Sequence, residues 1–109
     1  MNLYHTTDAD GVSELNPDMD RMRALLESLD EPIRELEEHP DVSLVHNPSG
    51  WSMSVYPSGI VTFENLDDDD ARPSYMRDVS RADALQMWRQ LSRGEIDRLK
   101  ARAWLKEDA

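Results

Sequence analysis

A chain of 109 residues, 39% apolar and 32% charged, with a mean hydropathy of −0.72, suits one polar domain with a single core rather than a disordered segment. It has no cysteine, which excludes disulfides, thiol nucleophiles and thiolate metal sites. A net charge of −11 opposes binding to nucleic acid or to an anionic membrane surface.

Residues 1–15 mix Thr, Asp, Gly and Ser with scattered apolar side chains and read as an N-terminal arm or loop, with room for a short edge strand; residues 16–109 read as a single α+β domain. Asn16-Pro17 makes a helix start, with Asn as cap and Pro in the first turn. Met19, Met22, Leu26, Leu29, Ile33 and Leu36 follow at steps of three and four, one apolar stripe opposite Arg23, Glu27, Glu31 and Glu38. Pro32 kinks or divides this helix, and Pro40 forbids its continuation.

Three alternating runs come next: Asp41–Asn47, Trp51–Tyr56 and Ile60–Leu66. The breaks between them, Asn47-Pro48-Ser49-Gly50 and Tyr56-Pro57-Ser58-Gly59, carry the same hairpin chemistry. An antiparallel meander is predicted, with Tyr75–Val79 as a fourth short strand. Asp67-Asp68-Asp69-Asp70 must be an exposed loop, because four adjacent carboxylates cannot be buried together. Ser80-Arg81-Ala82-Asp83 has the form of a capping box ahead of a helix bearing Ala84, Leu85, Trp88 and Leu91, and Gly94 supplies a stop. The final helix is predicted over Glu95–Leu105, burying Ile96, Leu99 and Ala103. The architecture expected is an α+β two-layer sandwich: an N-terminal helix, a three- to four-stranded antiparallel meander and two C-terminal helices on one sheet face.

Charge is distributed unevenly. Residues 1–71 hold 17 acidic and 3 basic side chains, whereas residues 72–109 hold 6 acidic and 9 basic. An acidic surface speeds encounter with a basic protein. The basic side chains of the last helices, Arg89, Arg93, Arg98, Lys100, Arg102 and Lys106, suit pairing with the acidic first helix or the negative ends of their own helices.

The fragments that resemble chemical motifs fail on geometry. Asp8-Ala9-Asp10-Gly11 opens like a calcium loop, but aligning Gly11 with the invariant turn position puts Thr6 and Pro17 where ligands must stand. His39-Pro40-Asp41 matches the tripeptide of J-domain co-chaperones, yet there it links two helices after a basic one, and here an acidic helix precedes it and a strand follows. His5, His39 and His46 lie on unlike elements, without the i, i+4 spacing of helix-borne zinc sites. No G-x-S-x-G elbow, phosphate loop or dinucleotide fingerprint occurs. Ser49 and Ser58 sit in turns with no base evident beside them, and carboxylates are too many to single out a catalytic pair. The expectation is a cytoplasmic, non-enzymatic protein with no cofactor, no metal and no membrane span.

Trp51–Asn65, Met76–Arg81 and Leu85-Gln86-Met87-Trp88 with Gly94-Glu95-Ile96-Asp97 and Trp104 together resemble small acidic bacterial proteins that serve as immunity partners of polymorphic toxins. That resemblance covers the second half of the chain. It implies an α+β fold, an acidic inhibitory surface and a cognate toxin, and it offers no catalytic residues. The three tryptophans, Trp51, Trp88 and Trp104, are expected in the core. The predicted interface is Glu64, Asp67, Asp68, Asp69 and Asp70 with Tyr56 and Tyr75, beside a sheet face showing Ser43, Ser52, Ser54, Thr62 and Glu64. A homodimer built on the Met19–Leu36 stripe or on that face is the alternative.

Overall fold

The computed structural model describes residues 3–30, 41–67, 73–102 and 104–106. In chain order the elements are β1 (Tyr4–Thr7), β2 (Ser13–Leu15), α1 (Met19–Glu27, continued by a 3-10 turn Ser28–Asp30), β3 (Val42–His46), β4 (Trp51–Val55), β5 (Val61–Asn65), β6 (Ser74–Met76), α2 (Arg81–Ser92), α3 (Ile96–Lys100) and β7 (Leu105–Lys106). The fold is α+β, built on one antiparallel sheet in the order β2-β1-β3-β4-β5-β6-β7.

The central meander forms because each strand alternates apolar and polar residues and each gap carries a Gly at positive φ. Gly50 (φ 74°) closes the first turn by donating to the His46 carbonyl, and Gly59 (φ 90°) closes the second by donating to that of Tyr56. In β3 to β5 the inward residues are Val42, Leu44, Met53, Val55, Val61 and Phe63, all fully or almost fully buried. They meet Met22, Leu25, Leu26 and Leu29 from the first helical segment and Ala84, Met87, Trp88, Leu91 and Leu99 from the last two helices. Burial of apolar surface at roughly 25 cal/mol per Å² makes this cluster the main source of stability.

Helix ends follow local chemistry. The Ser80 hydroxyl accepts from the Asp83 amide at 3.1 Å, as the capping-box pattern predicts. At the other end of α2, Gly94 donates to Leu91 and Glu95 to Gln90, a Schellman closure with Gly94 at φ 72°. The first helix starts two residues later than expected. Its cap is Asp18, whose carboxylate accepts from the Arg21 amide at 2.9 Å. Asn16 instead adopts φ 49° and exchanges hydrogen bonds with the backbone of Tyr4, tying the helix entry to β1.

Three expectations about the elements are corrected. Residues 3–15 form a hairpin rather than an arm or loop: β2 is a short edge strand, for which the sequence left room, and β1 lies interior to the sheet between β2 and β3. Its turn is held by the Asp8 carboxylate, which accepts from the amides of Asp10 and Val12, and by Gly11 at φ 84°. The Asp-x-Asp-Gly fragment is therefore a hairpin turn. The last helix stops at Lys100 instead of Leu105, and Leu105 begins β7 against β6. Trp104 decides this: its ring stacks on Phe63 at 5.2 Å and its indole N–H donates to the Leu99 carbonyl at 2.6 Å, which draws the chain out of the helix. The fourth meander strand runs over Ser74–Met76, ahead of the predicted Tyr75–Val79, and with β1, β2 and β7 the sheet has seven strands among the described residues rather than three or four. The apolar positions Ile33 and Leu36, the expected break at Pro32, His39-Pro40 and Ala103 lie outside the described residues.

Candidate functional site

The period of two along a strand turns every second side chain away from the buried cluster. Strand registers align these outward residues into two rows. The first is Ser13, Thr7, Ser43, Ser54, Thr62, Tyr75 and Leu105, one from each strand in sheet order. The second is Leu15, His5, Val45, Ser52 and Glu64. Six successive positions of the first row end in hydroxyls. The Thr7 and Ser13 hydroxyls bond each other at 2.9 Å, and His5 Nδ1 bonds the Asn47 side chain at 2.8 Å. Leu15 and Leu105, at opposite ends of the sheet, are the exposed apolar residues of this face.

Carboxylates frame the rows. Insertion of β1 beside β3 brings Asp8 and Asp10 of the β1–β2 turn next to Asp41, and the three line a shallow hollow of about 360 Å³ with Thr7 and Ser43. Tyr56 follows β4 at the same end of the sheet. Partial burial, then the charge of Asp41, then that of Glu64, raise its phenol pKa above the ordinary value. Glu64 and Tyr56 thus share one electrostatic environment although eight positions separate them in sequence. Tyr75 stands in the hydroxyl row with the Arg77 guanidinium 5.6 Å from its ring centre.

Of the residues expected at an interface, Glu64 and Tyr75 lie on this outward face and Tyr56 lies at its margin. Asp67 is exposed but sits in the turn after β5, packed against Gly50. Its amide donates to the Asn65 side chain, whose own amide donates to the Ser49 carbonyl, so this turn is stitched to the first hairpin turn. Asp68, Asp69 and Asp70 lie outside the described residues. Reasoning from sequence missed Asp8, Asp10 and Asp41 as a group. The available signal was the Thr-Thr-Asp-Ala-Asp-Gly-Val-Ser stretch, a short hairpin pattern that would have carried both aspartates into the sheet.

At the far end of β3, on the inner face, His46 Nδ1 and the Ser49 hydroxyl are 2.7 Å apart. A base does stand beside Ser49, contrary to the reading of the turn from sequence. His46 is 4% exposed, and burial lowers its pKa, which keeps the ring neutral near pH 7. The hydroxyl also accepts from the Trp51 amide at 3.3 Å, so this pair organises the turn. Trp51 stacks on Phe63 at 4.4 Å with the Lys100 ammonium 5.0 Å above its ring. Trp88 is fully buried, whereas Trp51 and Trp104 are partly buried at the rim of the core.

The basic residues of the C-terminal half are used in several ways. Arg81 ties three segments together: Nε donates to Asp30 at 3.1 Å, Nη2 to the Pro57 carbonyl at 2.9 Å and Nη1 to that of Tyr56 at 3.4 Å. Arg98 pairs with Glu95, and Arg102 donates to Gln90. Among the described residues, no group of three or more His, Asp or Glu side chains converges to hold a metal ion, and no helix is long and apolar enough to cross a membrane. Comparisons with protein-family models, with curated proteins and with solved structures find no match.

Proposed function

We propose that this chain is a non-catalytic, acidic protein-binding domain that docks a basic partner on the outward face of its sheet, in the manner of an immunity-type inhibitor of a basic toxin or nuclease. In this reading the domain is a two-layer sandwich whose second sheet face is kept for the partner. The observation that carries it is the placement of charge. Six hydroxyl-bearing positions in one row form a flat polar platform, with Asp8, Asp10 and Asp41 at one end and Glu64 along its side. Hydroxyls both donate and accept, and carboxylates pair with Arg and Lys in charge-assisted hydrogen bonds or stand in for the phosphates of a nuclease's substrate. An antiparallel sheet is free to leave one face in water. Its acidic frame, on a chain of net charge −11, supplies the preference for a basic partner.

The test is photocrosslinking in the native host. A photoreactive residue at Thr62 is expected to capture a basic protein, whereas one at Ala82, exposed on α2, is not. Affinity for the captured protein should fall as salt rises, and Asp8→Asn with Asp41→Asn and Glu64→Gln should flatten that dependence. Capture from Ala82 alone, or affinity indifferent to salt, rejects the reading.

Self-association is the second reading, supported by Val12 (61% exposed) and Leu15 (64% exposed) beside the outer strand β2. The first-helix stripe is the less favoured seam, because Met22, Leu26 and Leu29 are buried in the chain's own core, while Ile33 and Leu36 lie outside the described residues. Sedimentation equilibrium separates the two readings: a concentration-independent monomer removes self-association.

A further inference from the structure

At one edge of the sheet, β2 is exposed along its whole length and has a neighbouring strand on one side only among the described residues. Its pairing with β1 fixes which backbone groups are already used. The Asn16 amide donates to the Tyr4 carbonyl at 2.8 Å and the Asp8 amide to that of Val12 at 3.0 Å, so by antiparallel alternation Glu14 completes the ladder with Thr6. Ser13 and Leu15 alternate with these positions and direct their N–H and C=O groups away from β1. Such a row is a template for another strand, and proteins guard it with Pro, Lys or a bulge. Ser13–Leu15 has none of these, and its register with β1 is unbroken. Its one charged side chain, Glu14, lies on the helix side and is held by Arg21 at 2.9 Å.

The side chains along the edge select its occupant. Leu15 is exposed on the outward face, whereas Glu14 on the helix side is followed by Asp18 and Asp20, both exposed at the start of α1. A second copy fits poorly, because antiparallel pairing centred on Glu14 sets that carboxylate opposite its equal, between two chains of net charge −11. We propose that β2 takes an extended, basic segment of the partner as an added antiparallel strand. Its basic side chains lie on the helix side toward Glu14, Asp18 and Asp20, and its apolar side chains lie outward beside Leu15. In antiparallel pairing the residues opposite Ser13 and Leu15 exchange both hydrogen bonds with them, so the apolar set directs its N–H groups at β2. This inference rests on the reading of the partner as a basic protein, and it names the segment of that partner which the chain recognises.

The probe is a capped peptide of four alternating valine–lysine pairs, with its valine–glutamate counterpart as control, added to the full chain and followed by NMR. The basic peptide is expected to bind saturably and to slow hydrogen exchange at the Ser13 and Leu15 amides, leaving Glu14 little changed; the acidic peptide should do neither. N-methylation of the valines, which removes the donors aimed at β2, should abolish binding, whereas N-methylation of the lysines should not. Ser13→Pro deletes an edge donor that β1 does not use and should weaken binding about tenfold. If that variant does not fold, the two methylated peptides still decide the matter. No binding of the basic peptide, equal binding of the acidic one, protection elsewhere than on β2, or equal effects of the two methylations would overturn the strand addition. Capture of a basic protein at Thr62 with no protection at Ser13 and Leu15 removes this inference and leaves the docking face standing. Protection at the edge without capture at Thr62 supports the added strand and removes the face.

Discussion

The two faces of this sheet are made by the same strands and differ in every property that matters. On β3, Val42 and Leu44 point to the helices and are wholly buried, while Ser43 and Val45, which alternate with them, point outward. One face is a dry cluster in which each side chain touches many others; the other is a row of hydroxyls bordered by acid groups. Stability resides on the first, and freedom to evolve a binding surface resides on the second, because a residue that contributes little to folding can be exchanged cheaply.

The sharpest way to break that contrast is to shorten neighbouring residues of one strand. Leu44→Ala should cost about 2–5 kcal/mol in chemical denaturation, through lost burial and the cavity left behind, whereas Ser43→Ala should stay within about 0.5 kcal/mol. Comparable losses at both sites would mean that the outward face is itself packed. At the rim where the faces meet, Gly50→Ala is expected to cost about 1–3 kcal/mol, because Gly50 holds φ 74° and a new Cβ would collide with the Asp67 side chain. Adding Asp67→Gly should recover the steric part and leave the backbone part.

Smaller effects report on electrostatics. His46 belongs to the inner face, and burial places its folded pKa below its unfolded one, near 6.5. The unfolded chain then binds a proton first as pH falls, so stability should decline on acidification through and below that unfolded value. His46→Gln should flatten this part of the pH–stability curve measured by thermal melts. Tyr56 gives the corresponding probe at the margin of the outward face. Asp41→Asn should lower its phenol pKa toward the ordinary value, with Glu64→Gln doing so less, as read from the ultraviolet absorbance of tyrosinate. If neither substitution moves the titration, Tyr56 does not share the field of those carboxylates.

The legible parts of the fold were those written in local pattern. The three central strands alternate strongly and are separated by Pro-Ser-Gly turns, and the second helix carries its own cap and stop. Ser52, Ser54, Thr62 and Glu64 could be assigned to the outward face because period-two alternation needs no knowledge of neighbours. The acidic hollow was not legible, since Asp8 and Asp41 are 33 positions apart and meet only through the pairing of β1 with β3. Likewise the Ser49–His46 contact needs the first hairpin turn to fold both side chains to one side.

By itself, the sequence determined the α+β class, the central meander, the buried alternation of β3 to β5 and the general acidity, because each depends on residues within a few positions of one another. Tertiary structure alone decided the rest. Thr6 is buried and β1 is interior although the Tyr4–Thr7 segment has little apolar character, because β2 and β3 flank it and satisfy its backbone. The chain leaves the last helix after Lys100 because Trp104 gains more by stacking on Phe63 of a distant strand than by extending a short helix. Where charge meets hydroxyl on the outward face is an outcome of packing between segments that no local pattern encodes.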